Sequence, residues 1–368
     1  MIPVDALTTG ATRVYPGAAS SPPARVVRAS SSPVASRALI AWLAVCAALV
    51  FAMVIVGGVT RLTHSGLSIT EWQPIVGTLP PLGAADWNDA FARYQATPEF
   101  REVNSAMTLA QFRRIFWWEY AHRLLGRAIG VVFFVPFVVF LLRRRIPRGY
   151  AWPLFAIFLL GGLQGAVGWL MVKSGLVDDP RVSPLRLTAH LGLAFAIFGG
   201  LLWSALSLAF PHRADPAAAR PVRRQAITVL GLVFVMVLLG GFVAGIRAGF
   251  AYNTFPLMNG HVVPPEIMVL APWWKNFFWN VATVQFDHRA VGWLLAFAVP
   301  LLWWRVRRAR VSPRAQAGSA ALAAMVAVQL ALGVATLVNV VPLPLAALHQ
   351  AGALLVFALA VNLAHALR

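Results

Sequence analysis

The chain has 368 residues, 59% of them hydrophobic and only 12% charged, with a mean hydropathy of +0.72. This composition, with apolar runs of about 20 residues, excludes a water-soluble globule and indicates an all-α integral membrane protein. A net charge of +19 would suit a nucleic-acid partner, but the cations are distributed as membrane topology distributes them, and no nucleic acid is needed.

Residues 1–37 are rich in Ala, Ser, Pro and Arg and carry one acid. They read as a disordered cytoplasmic tail, although the same composition would suit a mitochondrial presequence. Eight spans follow, at about 38–60, 120–142, 151–172, 185–210, 226–247, 282–304, 318–341 and 344–367. Each is long enough to cross roughly 30 Å of hydrocarbon at about 1.5 Å per residue. The single cysteine, Cys46, falls in the first span; one thiol makes no intramolecular disulfide and reads as a small buried apolar residue.

The first outer loop, about 61–119, contains Asp86-Trp-Asn-Asp-Ala-Phe-Ala-Arg-Tyr and Thr108-Leu-Ala-Gln-Phe-Arg-Arg-Ile-Phe-Trp-Trp. Both read as short amphipathic helices with Asp86 and Thr108 as N-caps. Trp273-Trp274-Lys-Asn-Phe-Phe-Trp is the counterpart between spans five and six. These stretches are expected to lie along the outer interface and cover the sites, their tryptophans forming an aromatic belt. The pairs Gly57-Gly58, Gly161-Gly162, Gly199-Gly200 and Gly240-Gly241 fit close helix approach and carry no chemical signal.

The chain is internally duplicated. Gly57-Gly58-Val-Thr-Arg-Leu-Thr-His-Ser-Gly66-Leu matches Gly240-Gly241-Phe-Val-Ala-Gly-Ile-Arg-Ala-Gly249-Phe, and Glu-Tyr-Ala-His122-Arg123 matches Gln-Phe-Asp-His288-Arg289. Gln164 and Gly168 match Gln329 and Gly333, and His190 matches His349. Two tandem four-helix units are expected, 38–210 and 226–368, joined by a cytoplasmic linker at 211–225. An even number of spans per unit makes the repeat parallel. The tail, the connections 143–150, 211–225 and 305–317, and Arg368 hold 18 of the 31 Lys and Arg but only Asp5 and Asp215 of the 12 acids. Excess cations mark the inner side, so both termini lie inside.

His122, His190, His288 and His349 each stand a few residues inside the start of a span. All four therefore lie in the outer leaflet, where a membrane imidazole is read as functional. Zinc would want three or four ligands at one point, and a di-iron site about four Glu with Glu-x-x-His twice. Each half offers two membrane His, the lone Cys46 adds one thiol to the first span, and Glu119-Tyr-Ala-His122 has Gln285 in the matching position. Two imidazoles per half suit haem iron best. Arg123 and Arg289 follow the ligand candidates and could fork onto haem propionates or reach to the interface as snorkelling cations. Glu119, one turn from His122, supplies an acid or base that Gln285 cannot, which separates a reactive site from a redox or structural one. Asp287 places a carboxylate next to His288, though on another helical face. His64, His212, His261 and His365 lack partners in the other copy and read as solvated, with His64 and His261 candidates for an outer entrance.

These motifs resemble the haem A synthase family. The matching stretches are Gly57 to Trp72, Trp118 to Gly126, Gly161 to Trp169, Leu-Thr-Ala-His190, Ala251 to Gly260, Gln285 to Arg289 and Leu348-His-Gln350. The resemblance implies oxidation of the C8 methyl of haem O to a formyl group through hydroxylated intermediates, giving haem A for haem-copper oxidase assembly. By resemblance, His288 and His349 hold a resident haem b, His122 and His190 form the haem O site, and Glu119 is the required carboxylate. The chain is similar to the proteobacterial and mitochondrial branch, which lacks loop cysteine pairs. The implied setting is a bacterial inner membrane, with the mitochondrial inner membrane as the alternative, and haem sites near the periplasmic face. Partners would be haem O, membrane lipid, haem O synthase and oxidase assembly factors, with homo-oligomerisation left open. Two competing readings remain: a di-haem electron-transfer cytochrome, whose haems should be spread across the bilayer, and a haem carrier.

Overall fold

A computed structural model describes residues 33–71, 76–175, 182–211 and 216–368. The expected tail therefore lies outside the described residues up to position 32, as does His212. Eleven α-helices are described: α1 (Pro33–Leu62), α2 (Ala84–Gln95), α3 (Pro98–Glu102), α4 (Leu109–Leu142), α5 (Ala151–Gly175), α6 (Pro184–Ala209), α7 (Pro216–Gly245), α8 (Asn276–Trp279), α9 (Val281–Arg308), α10 (Pro313–Val338) and α11 (Leu343–Ala366). Among the described residues there is no strand, and one isolated bridge joins Met258 and His261. Eight of these helices, α1, α4, α5, α6, α7, α9, α10 and α11, are long and apolar enough to cross a membrane.

The helix starts follow local chemistry. Thr108 and Gln111 form a capping box at α4, with Gln111 Oε1 accepting from Thr108 N at 2.8 Å. Asn280 caps α9 by accepting from Thr283 N, and Ser312 caps α10 ahead of Pro313. Two expectations need correction. Asp86 is not the cap of α2; Gly83 is, and the Asp86 carboxylate sits at the third helical position, accepting from Gly83 N at 2.9 Å and Leu82 N at 3.1 Å. Those two amide donors hold its carboxyl below the usual range. The stretch from Thr108 is also not a separate short helix, because nothing between Leu109 and the apolar run breaks the helix and α4 continues unbroken for 34 residues.

The first four spanning helices pack as α1 on α4 and α6, and α5 on α4 and α6. The last four pack in the same pattern, α7 on α9 and α11, and α10 on α9 and α11. Between the sets, α6 meets α7 and α11, and α1 meets α11. Half of the apolar window of α6 is buried, against 6% for α5 and 11% for α4 and α10. The core therefore runs along α1, α6, α7, α9 and α11, and α4, α5 and α10 present their flanks to lipid.

The core cluster joins Leu43, Val50, Phe195, Leu201, Val229, Leu302, Leu354 and Phe357 from both sets. At the ends of α1 and α7, Arg61 Nη2 donates to Gly245 O at 3.3 Å, and Arg247 donates to His64 Nε2. Deeper in the seam, Gln350 Nε2 donates to Val54 O at 2.8 Å. Gly58 lies where Gln350 needs room, since a Cβ there would fall 1.8 Å from Gln350 Oε1.

Candidate functional site

Each of the four histidines predicted from the sequence projects from a spanning helix onto a glycine of its neighbour. His122 of α4 lies against Gly57 of α1, and His190 of α6 against Gly168 of α5. In the second set, His288 of α9 lies against Gly240 of α7, and His349 of α11 against Gly333 of α10. A Cβ would stand 3.0 Å from the ring at Gly57, 2.9 Å at Gly168 and Gly333, and 3.5 Å at Gly240. Gly57 and Gly240 thus bear on the site after all, whereas Gly161 and Gly162 meet nothing within 4 Å and serve no close helix contact.

The rings are brought together in the predicted pairs. His122 and His190 are close enough to interact electrostatically, and so are His288 and His349. All four residues are half-buried. His190 Nδ1 and His288 Nδ1 are themselves buried and have no hydrogen-bond partner. Such orphaned nitrogens are costly unless something binds nearby. Gln164 Nε2 donates to His190 O at 3.0 Å, and Gln329 Nε2 donates to His349 O at 2.8 Å and lies 3.1 Å from His349 Nδ1. These two glutamines steady the helices that carry the rings. Among the described residues no three His, Cys, Asp or Glu converge as a metal site. Two neighbouring imidazoles on two helices, each backed by a glycine, are a donor set that would suit a haem iron.

One turn from each α4 and α9 histidine lies the Glu119 and Gln285 contrast, and the structure gives it a local cause. Glu119 is 2% exposed. Its Oε2 accepts from Ser68 Oγ at 2.7 Å and Ile69 N at 2.8 Å, and its Oε1 accepts from Arg123 Nε at 3.0 Å and Nη2 at 2.6 Å. Gln285 instead turns Nε2 to Ala248 O at 2.9 Å and Ala251 O at 2.6 Å, while its Oε1 accepts from Arg289 Nη2 at 3.2 Å. The outer loop thus offers donors to the first position and carbonyls to the second. An acceptor-only carboxylate suits one, and an amide suits the other.

Arg123 and Arg289 complete the two clamps. Arg123 donates to Ile69 O at 2.7 Å and Glu71 O at 3.0 Å. Arg289 donates to Tyr252 O at 2.6 Å and Thr254 O at 3.0 Å. Both guanidinium forks are therefore engaged with loop carbonyls, although Arg289 Nε remains buried without a partner. Asp287 is half-buried.

Of the other histidines, His365 is not solvated: it is 2% exposed, 3.2 Å from Ser207 Oγ and from Arg314 Nη1, and edge-on to Trp203. His64 is half-buried and accepts from Arg247, which, together with burial, pushes its pKa down. His261 stays exposed. Ser68 and the four glycines are site residues that sequence reasoning did not assign. The duplication had marked Gly168 and Gly333, but only as signs of symmetry.

Eight membrane-length helices that carry two half-buried imidazole pairs define a multi-pass membrane protein. The family model described as cytochrome oxidase assembly protein (COX15-CtaA) matches residues 40–361. The chain is 57% identical over 329 residues to a heme A synthase of Nitrosospira multiformis, covering 89% of this chain and 92% of that protein. It is 53% identical over 319 residues to a heme A synthase of Nitrosomonas eutropha, covering 86% and 90%. It is 47% identical over 348 residues to one of Rhodospirillum centenum, covering 95% and 92%. The chain belongs to the haem A synthase family of cytochrome oxidase assembly proteins.

Proposed function

We propose that this chain makes haem A by oxidising the C8 methyl of haem O to a formyl group through hydroxylated intermediates, for haem-copper oxidase assembly. The observation that carries the assignment of the two sites is the break in an otherwise matched pair. The imidazoles, glycine cradles and arginine clamps repeat, yet a buried carboxylate stands over one pair and an amide over the other. The first pair, His122 and His190, takes haem O as substrate. The second, His288 and His349, takes haem b as the resident group. When bound, that haem supplies a one-electron redox centre.

The chain's own residues then do three things. The paired imidazoles would hold each haem, every ring steadied where it backs onto a glycine of a neighbouring helix. Arg123 and Arg289 hold the outer loops over the two sites, and Arg289 Nε remains available for a propionate. Glu119 fixes the loop at Ser68 and Ile69 beside the haem O site, and a proton exchanged at this carboxylate would need one of its four hydrogen bonds to open. The setting is a bacterial inner membrane with the sites toward the periplasm, in keeping with the charge bias of the connections.

Ligand variants test the division of labour. His288→Ala and His349→Ala are expected to lose the haem b absorbance of the purified chain. His122→Ala and His190→Ala should keep it while haem A formation stops. Loss of haem b from the His122 variant and its retention in the His288 variant would reverse the assignment.

A further inference from the structure

A second buried carboxyl, Glu99, lies close enough to Glu119 to interact with it electrostatically. Glu99 belongs to α3, which Thr97 starts by accepting from Phe100 N at 3.3 Å. Its neighbours Arg101 and Glu102 are exposed, but Glu99 is 5% exposed. The Tyr94 hydroxyl on α2 donates to it and itself accepts from Asn104 Nδ2 at 2.7 Å. Tyr94 is fully buried against Phe112 of α4, so one oxygen of Glu99 is held rigidly. Glu99 Oε2 is buried and accepts no hydrogen bond.

The charged groups that face Glu99 are Glu119 on α4 and Arg61 at the end of α1. Arg61 Nε is likewise buried without a partner. Burial first, and then the Glu119 carboxylate, push the Glu99 carboxyl up to about 7, against the weaker pulls of Tyr94 and Arg61. Two neighbouring carboxyls thus have opposite environments. Glu119 is fixed by four hydrogen bonds and an ion pair, whereas Glu99 has a free oxygen. A buried carboxyl with an unpartnered oxygen can take up a proton without first breaking a hydrogen bond.

We propose that Glu99 is the proton-exchanging carboxyl of the first site, taking up protons released as the substrate methyl is oxidised and passing them to water at the outer surface. This rests on the assignment of that site to haem O. With water as the oxygen source, converting a methyl to a formyl group (CH3 + H2O to CHO + 4 H+ + 4 e−) releases four protons, which need an acceptor. Each proton lands on Glu99 Oε2 and then passes outward, which regenerates the carboxylate; the four electrons leave one at a time to a one-electron acceptor in the membrane. Glu119 keeps the loop in place through its four hydrogen bonds.

The carboxylate form accepts the proton, so the rate should rise with pH through about 7 and level above it. The test measures haem A formed by the full chain in membranes supplied with haem O, from pH 6 to 8.5, with haem b absorbance as the control for folding. Glu99→Gln keeps the shape and the Tyr94 contact but cannot titrate. It should lose about a hundredfold in rate at the plateau and the inflection with it. Glu99→Ala should be equally slow, and added formate should restore much of its rate. An unchanged rate and profile in Glu99→Gln would overturn the role of Glu99 while leaving the function intact. A deep loss in Glu99→Ala that formate does not relieve would also overturn it, in favour of a purely structural part. If the wild-type chain forms no haem A at all, both readings fail.

Discussion

Glu119 and Gln285 show how one atom's difference in a side chain is dictated by its surroundings. Glu119→Gln would turn an NH2 either toward the Arg123 donors or toward Ile69 N, and no amide orientation satisfies both. Losing one partner of so buried a pair costs on the order of 3 kcal/mol. The expected outcome is a sharp fall in haem A formation with the haem b spectrum intact; wild-type activity in this variant would remove Glu119 from the site. The reciprocal change, Gln285→Glu, sets a carboxylate against Ala248 O and Ala251 O, a loss of roughly 1–3 kcal/mol. It should lower haem b content and leave the first clamp untouched. The contrast itself was legible, because a duplicated motif exposes its one altered member. Its cause was not, because whether a loop offers N–H or C=O depends on backbone direction, which no single residue encodes. Glu99 was equally hidden: in a polar loop between Pro98 and Phe100 it reads as one more solvated charge.

At the scale of the helices, the glycines opposite the imidazoles set how closely a ring may approach. A methyl at Gly333 would overlap His349 Cε1 at 2.9 Å, whereas one at Gly240 would make an ordinary contact with His288 at 3.5 Å. Gly333→Ala is therefore expected to reduce haem b occupancy, read from the absorbance of the purified chain, and Gly240→Ala to leave it near normal. Equal losses in the two variants would show that helix packing, not ring placement, governs these positions. Gly168→Ala should displace His190 and depress haem A formation alone. All eight spans were visible in the sequence, because apolar runs of bilayer length have few alternatives. Their ends were less so: α4 begins at Leu109 instead of near 120, since the polar outer turns continue the same helix and keep Arg113 and Arg114 exposed. The glycine–histidine contacts left no periodic trace, because the partners lie far apart in the chain.

For the molecule as a whole, the recurrence of helix pairings is in keeping with our proposal of two four-helix units, while the proposal that both termini lie inside rests on the charge bias of the connections. Residues at matched positions, His64 and Arg247, touch across the seam, as a two-fold relation between the units would require. Reporter fusions after residues 146, 215, 309 and 368 should all report the inner side, and an outer signal at any of them would refute that topology. If the four histidines hold haems, as we propose, their common place near the starts of their spans argues against a cytochrome that carries electrons across the bilayer. The most direct measurement is extraction and chromatography of the haems from the purified full-length chain, expressed with and without a source of haem O. Haem b should be present in both preparations, with haem A or its hydroxymethyl precursor appearing only when haem O is supplied. Haem b alone in both, with bis-imidazole spectra from two filled sites, would contradict the synthase reading and leave a di-haem cytochrome.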